Sequence, residues 1–256
     1  MLLALDIGNT SLAGGLFEGG RLVRAFRLAS DAGRGADEYG VLLRAVLADD
    51  AVPRPLPAVM CSVVPALTAM LAESCERYLG AAPLVVGPDY GWLGIDVRYD
   101  NPAEVGPDRV INALAARDLY GAPAIVADFG TATTFDVVDA AGAYVGGVIA
   151  PGVEISAQTL FAKAARLGAV VFTMPPRVVG RNTDEALRAG IVLGAARAAD
   201  GIVEAIREER GESGFLVATG GLAAAVAPLM KTRPTIDADL TLKGLARAYE
   251  RARTHR

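Results

Sequence analysis

Two short segments carry the residue types from which a phosphate site is built. Asp6-Ile7-Gly8-Asn9-Thr10-Ser11 and Asp128-Phe129-Gly130-Thr131-Ala132-Thr133-Thr134 each place an Asp, an apolar residue and a Gly directly after an apolar run. A Gly past a strand lets the chain turn tightly and brings backbone N–H groups close to an anion. Asn9, Thr10, Ser11, Thr131, Thr133 and Thr134 add side-chain donors. An Asp repels phosphate unless a cation lies between them, so the pair implies a nucleotide phosphate with a metal ion. One such turn reads equally well as a plain loop; two at matching positions favour phosphate. A third piece, Val217-Ala218-Thr219-Gly220-Gly221-Leu222, is either a glycine-rich strand–helix turn or bare backbone against which an adenosine can lie.

These segments need elements to hold them. Leu2–Leu5, Ser11–Phe17 and Arg21–Leu28 read as strands, with Glu18-Gly19-Gly20 as a hairpin turn. Asp37–Leu47 has helical spacing and Pro53–Pro57 is a linker. Ala58–Val63 is a strand, Pro65–Tyr78 a helix with Pro in its first turn, and Pro83–Val86 a strand. A second unit starts near Glu104. It has a helix over Asp108–Tyr120 stopped by Gly121, a strand over Ala124–Asp128, and a hairpin of Thr131–Val138 with Ala143–Ile149. Helices over Val153–Ala165 and Thr183–Arg210 follow, then a strand at Phe215–Ala218 and helices over Gly221–Leu229 and Asp239–Arg251. The tail beyond Ala248 is expected to fray. Because 128 − 6 = 122 residues separate the two Asp-x-Gly turns, duplication of one βββαβα unit is the economical reading. The cleft between the halves then carries the two turns.

Composition narrows the chemistry. With 256 residues, 52% of them hydrophobic, the chain can bury a full core. A net charge of −4 disfavours non-specific nucleic-acid binding. One histidine, His255, and two cysteines, Cys61 and Cys75, exclude His-rich and four-thiolate zinc sites; both thiols are expected to be packed and reduced. The first residues lack a basic segment and Asp6 breaks their apolar run, so no signal peptide is expected. Pro55–Ala72 and Ser213–Met230 are charge-free, but Pro or Gly-Gly interrupts each, and neither is expected to span a membrane. No Gly-x-x-x-x-Gly-Lys-Ser/Thr loop is present, and no Gly-x-Gly-x-x-Gly follows a strand.

Six segments together resemble type III pantothenate kinase. They are Asp6–Thr10, Gly106-Pro107-Asp108-Arg109, Asn112-Ala113, Asp128–Thr134, Gly146–Gly152 and Gly180-Arg181-Asn182-Thr183. The resemblance runs from Asp6 to about Leu222. It implies an α/β fold of the duplicated ribonuclease H-like, actin-like kind, with halves at 1–103 and 104–256 around a nucleotide cleft. It also implies a cytoplasmic homodimer with the substrate site near its interface, and ATP, Mg²⁺ and a monovalent cation (K⁺ or NH₄⁺). The reaction it implies is phosphorylation of pantothenate to 4′-phosphopantothenate, the first step of coenzyme A synthesis.

The resemblance also assigns residues. With no histidine beside any motif, a carboxylate must accept the hydroxyl proton, and Asp108 is the candidate; the alternative is a helix-terminal Asp with a structural role. A helix N-terminus is expected to keep it ionised, near or below the usual ~3.9. Arg109 matches a pantothenate-carboxylate clamp, or else makes a surface salt bridge. Gly106 and Pro107 complete the substrate loop, where the family has Gly-Ala-Asp-Arg; Pro107 removes one N–H. Tyr99 and Thr183 match substrate positions, or are a packed Tyr and a helix-capping Thr. Asp6, Ile7, Gly8, Asn9, Thr10, Ser11, Leu12, Ala13 and Thr131 match nucleotide positions. Asp128 matches the monovalent-cation ligand and Asp6 the Mg²⁺-side carboxylate. Two other readings stay open: a transcriptional regulator like the Bvg accessory factor, or a sugar kinase of the same superfold. The two intact turns with Asp108 and Arg109 disfavour the first; Arg109, which suits an acidic substrate, disfavours the second.

Overall fold

The computed structural model describes residues 1–48, 52–163 and 171–254. The chain divides into two compact units, Met1–Ala115 with Asp239–Arg256, and Ala116–Ala238. In the first, β1 (Leu2–Ile7), β2 (Ser11–Glu18) and β3 (Arg21–Ala29) form an antiparallel meander. The β2–β3 turn holds Gly19 and Gly20 at φ +55° and +79°. Both values are left-handed, the conformation that a two-residue hairpin needs and glycine adopts without strain. Next come α1 (Ala36–Val46), β4 (Ala58–Ser62), α2 (Pro65–Ser74), a π-helical turn at Cys75–Leu79 and β5 (Leu84–Val86). The sheet order is β3-β2-β1-β4-β5, with β1, β4 and β5 parallel.

Side-chain alternation sorts this sheet into two faces. Leu3, Leu5, Ile7, Leu12, Leu16 and Met60 pack with Tyr39, Leu43, Leu67 and Leu71 of α1 and α2 in one core. The opposite face carries Ala4, Asp6 and Cys61. It is covered by α8 (Leu240–Thr254), where Leu242 approaches Gly15. α8 also meets the first turns of α3 (Pro107–Tyr120). A Cβ on Gly244 would stand 2.6 Å from the Ile111 carbonyl oxygen, and Thr241 Oγ1 donates to Asn112 Oδ1 at 2.7 Å. Because these two helices share backbone-close packing, the division falls inside α3 and not at the expected 103/104, and the closing helix belongs to the first unit. The expected fraying after Ala248 is also corrected. Helix α8 continues to Thr254, and Arg251 donates to the Leu93 carbonyl oxygen. His255 lies outside the described residues.

The second unit repeats the plan. It contains β6 (Ala124–Phe129), β7 (Ala132–Val138) and β8 (Tyr144–Pro151), then α4 (Val153–Lys163) and α5 (Thr183–Arg188). A π segment, Ala189–Leu193, joins α5 to α6 (Gly194–Arg210); β9 (Phe215–Thr219), α7 (Ala223–Val226) and β10 (Thr235–Ile236) close the unit. Its sheet order, β10-β9-β6-β7-β8, is that of the first sheet read from the other edge. Ile125, Ala127, Phe129, Phe135 and Leu216 pack on Ala196, Ala199 and Val203 of α6. The expected duplicated α/β fold is therefore the one adopted. The expected helix at Gly221–Leu229 is shorter: α7 begins at Ala223, and Ala227–Leu229 is a 3₁₀ turn. Residues 164 and 165 of the expected helix ending at Ala165 lie outside the described residues. Both cysteines are buried and free. Among the described residues no helix is long and apolar enough to cross a membrane.

Candidate active site

The first Asp-x-Gly turn is braced from three sides. Gly8 N–H donates to the Ser11 carbonyl oxygen at 3.0 Å. The end of β3 closes over it: Ser30 Oγ donates to the Gly8 carbonyl oxygen at 2.7 Å, and Ser30 N–H to that of Thr10 at 3.1 Å. Asn9 and Thr10 stand exposed at the tip, while Asp6, Ser11 and Ala13 are partly buried on one face. Ile7 and Leu12 put their side chains into the core. Of the expected nucleotide set, these two therefore have only backbone groups to offer.

The second turn is one residue tighter, with Gly130 N–H donating to the Ala132 carbonyl oxygen at 3.0 Å. Thr131 is exposed and Asp128 partly buried. Gly220, at φ +91°, lies directly against this turn: a Cβ there would come within 2.7 Å of Phe129 N and closer still to Asp128 Oδ1. Leu222 N–H donates to the Phe129 carbonyl oxygen at 3.1 Å. Gly152 is equally close, since its Cβ would lie 2.7 Å from the Thr131 carbonyl carbon. The glycines of the two distant motifs thus serve the Asp128 turn. Gly221, with no neighbour within 4 Å of a Cβ, leaves bare backbone at the surface.

Asp108 sits in the first turn of α3. Pro107 is the first helical residue, where a backbone N–H has no intrahelical partner in any case, so proline suits the position. Arg109 and Val110 N–H groups donate to the Gly106 carbonyl oxygen at 3.1 and 3.3 Å. Arg109 N–H is also 3.0 Å from Asp108 Oδ1. A Cβ on Gly106 would stand 2.5 Å from that same Oδ1, so a side chain there would push the Asp108 carboxylate aside. Burial raises the Asp108 carboxyl above its ordinary value, and the Arg109 N–H and guanidinium offset this only in part. That reverses the expected direction. The loss of solvation at this helix start outweighs the favourable dipole.

Two residues that sequence reasoning passed over join Asp6 to Asp108. Cys61 pairs with Asp6 across the parallel β1–β4 ladder, and its thiol donates to Asp6 Oδ1 at 3.4 Å. Burial, then Asp6 and Asp108, push that thiol well above the usual cysteine range. Tyr90 is buried and raised to about 12, first by burial and then by Asp108 and Cys61. The first unit thus gathers Asp6, Cys61, Tyr90 and Asp108 into one polar cluster on the face opposite its core. Tyr99 is 39% exposed in the loop before α3. Thr183 is exposed at the start of α5 but does not cap it. Asn182 does, accepting from Glu185 N–H at 2.9 Å, so the capping alternative for Thr183 is corrected. Among the described residues no three His, Cys, Asp or Glu side chains come together as a metal-holding group.

The family model for type III pantothenate kinase matches residues 2–205. The chain belongs to that family. A type III pantothenate kinase of Thermomicrobium roseum is 49% identical over 256 residues, covering 98% of this chain and 97% of the relative. Similar solved structures include a conserved Campylobacter jejuni protein assigned to the Baf family of transcriptional activators. It has a TM-score of 0.58 and 18% identity, covering 98% of this chain and 99% of that one. The Clostridium difficile activator of 2-hydroxyisocaproyl-CoA dehydratase, solved with bound ADPNP, gives a TM-score of 0.56 at 13% identity, covering 99% and 96%. At such identities these two structures speak for the fold alone. The pantothenate kinase family, with its high identity over the whole chain, is favoured over a Bvg-like regulator.

Proposed function

We propose that this protein transfers the γ-phosphoryl group of ATP to pantothenate, giving 4′-phosphopantothenate for coenzyme A synthesis, with Asp108 as proton acceptor. The observation that carries the reading is the pairing of Asp108 and Arg109 at the start of α3, with Asp6 in the same polar cluster, on a chain of this family. Phosphoryl transfer asks for positioning and charge neutralisation more than for a strong base. A carboxyl raised by burial is better matched to taking up a hydroxyl proton than an exposed Asp. Arg109 is the fork for the pantothenate carboxylate, and Tyr99 and Thr183 are further substrate contacts.

Nucleotide phosphates are assigned to the backbone and hydroxyls of Gly8–Ser11 and to Thr131. Asp6 is the residue for Mg²⁺ and Asp128 for a monovalent cation. Each is a partly buried carboxylate at a strand end, a hard oxygen donor of the kind that suits a cation held mainly by phosphate and water oxygens. Such a cation, when bound, supplies charge neutralisation on the phosphates. We further assign the protein to the cytoplasm as a homodimer. The test is an ADP-release assay with mass analysis of the product: pantothenate gives 4′-phosphopantothenate and sugars give none. Phosphorylation of a sugar in its place would overturn the assignment.

A further inference from the structure

We propose that Tyr90 is a positioning residue of the kinase, a clasp whose hydroxyl holds both Asp108 and the Tyr99 loop in working geometry. The inference rests on the reading of Asp108 as proton acceptor. Tyr90 Oη donates to the Val105 carbonyl oxygen at 2.6 Å, and both residues are buried. This bond closes the segment from 90 to 105, which carries Tyr99 and ends one residue before Gly106. Within it, local bonds shape the two ends. Leu93 N–H donates to the Tyr90 carbonyl oxygen at 2.9 Å, and Glu104 N–H to that of Asn101 at 3.0 Å.

Beyond Val105 the chain has little freedom. The Gly106 carbonyl oxygen accepts from the Arg109 and Val110 N–H groups at 3.1 and 3.3 Å, and Pro107 fixes φ at the first helical position. Displacing the Val105 carbonyl therefore pulls on the first turn of α3, into which the Gly106 carbonyl is bonded and which carries Asp108. Breaking the clasp leaves a buried carbonyl without its donor and frees the loop that presents Tyr99. Tyr90 stays a donor at any working pH, since burial and the facing Asp108 hold its phenol at about 12. The Asp6 turn is braced separately, by Ser30 and the β1–β2 ladder. Loss of the clasp should thus be felt by pantothenate and by the chemical step, and not by ATP.

The test is Tyr90→Phe, alone and combined with Asp108→Asn, with circular dichroism confirming a folded sample. The single variant is expected to lower kcat roughly 5- to 30-fold and to raise KM for pantothenate severalfold, as misplacement by a fraction of an ångström does. KM for ATP should stay within about twofold of wild type. In the Asp108→Asn background the effect of Tyr90→Phe on kcat should shrink to about twofold or less, because the two residues act as one unit. Unchanged kcat and pantothenate KM overturn the inference, as does an equal loss in both backgrounds, or both KM values moving with kcat. If Asp108→Asn itself turns over like wild type, the proton-acceptor reading falls and takes this inference with it. A slow Asp108→Asn beside an unaffected Tyr90→Phe removes the inference alone.

Discussion

Replacing Asp108 by Asn removes the proposed proton acceptor while keeping the shape of the loop. The amide oxygen can still accept the Arg109 N–H now 3.0 Å from Oδ1, and the side chain occupies the same space beside Gly106. The cost should therefore fall on turnover. Positioned acid–base groups contribute about 10²–10⁴-fold, so kcat is expected to drop by that factor, roughly 2.7–5.4 kcal/mol of barrier. Stability should move the other way. Burial raises the folded carboxyl above its unfolded value, so its contribution to stability is fully present below the unfolded pKa and lost as pH rises through the folded one. Above the folded pKa the ionised group is a liability that Asn removes, so there the melting temperature should be unchanged or higher. The wild-type kcat should fall on the acid side with a midpoint above ~3.9, and Asp108→Asn should lack that limb. The assay couples ADP release to a pyruvate kinase–lactate dehydrogenase readout across pH, with KM for ATP measured in parallel. Wild-type turnover in the variant, or a loss explained by unfolding, would refute the reasoning.

Activity in potassium should exceed that in sodium or Tris alone, and Asp128→Ala should erase the difference; equal rates for wild type in all three buffers remove the cation role of Asp128. Pantothenol, which lacks the carboxylate, should be phosphorylated about tenfold or more less efficiently than pantothenate, since a charge-assisted bond to Arg109 is lost. Equal kcat/KM for the two compounds would remove the clamp. Asp200 is a separate test of the fold. It accepts from Lys231 N–H at 2.9 Å, Thr232 N–H at 3.0 Å and Thr232 Oγ1 at 2.8 Å. Burial alone would raise its carboxyl, but these bonds and Arg197 together hold it below its ordinary value. Its contribution is present above the unfolded pKa and lost as pH falls through the folded one. Asp200→Ala should cost about 1–3 kcal/mol at neutral pH, read by urea unfolding, and the difference from wild type should narrow in acid.

The repeated order of strands was legible because each half announces itself locally. The turn at Glu18-Gly19-Gly20, the alternation along Arg21–Leu28 and each Asp-x-Gly turn are short-range signals, and the recurrence of the last after 122 residues marks the repeat. What joins the site was not legible, because it depends on register and packing between distant segments. Cys61 meets Asp6 only through the parallel pairing of β1 with β4, and Tyr90 reaches Val105 across a folded-back loop. An apolar run ending in Met60-Cys61-Ser62 carries no mark of which residue will stand beside a carboxylate. The division inside α3 was hidden for the same reason, since long-range packing such as Gly244 on Ile111 and Leu242 near Gly15 ties the closing helix to the first unit. The direction of the Asp108 shift needed burial, which the position of an Asp in a helix does not reveal.

The central claim is most directly measured in a crystal of the protein with pantothenate and a non-hydrolysable ATP analogue. The account predicts the pantothenate terminal hydroxyl within about 2.6–3.2 Å of an Asp108 carboxylate oxygen, with the pantothenate carboxylate on Arg109. A hydroxyl facing any other residue, with Asp108 beyond reach, would contradict it.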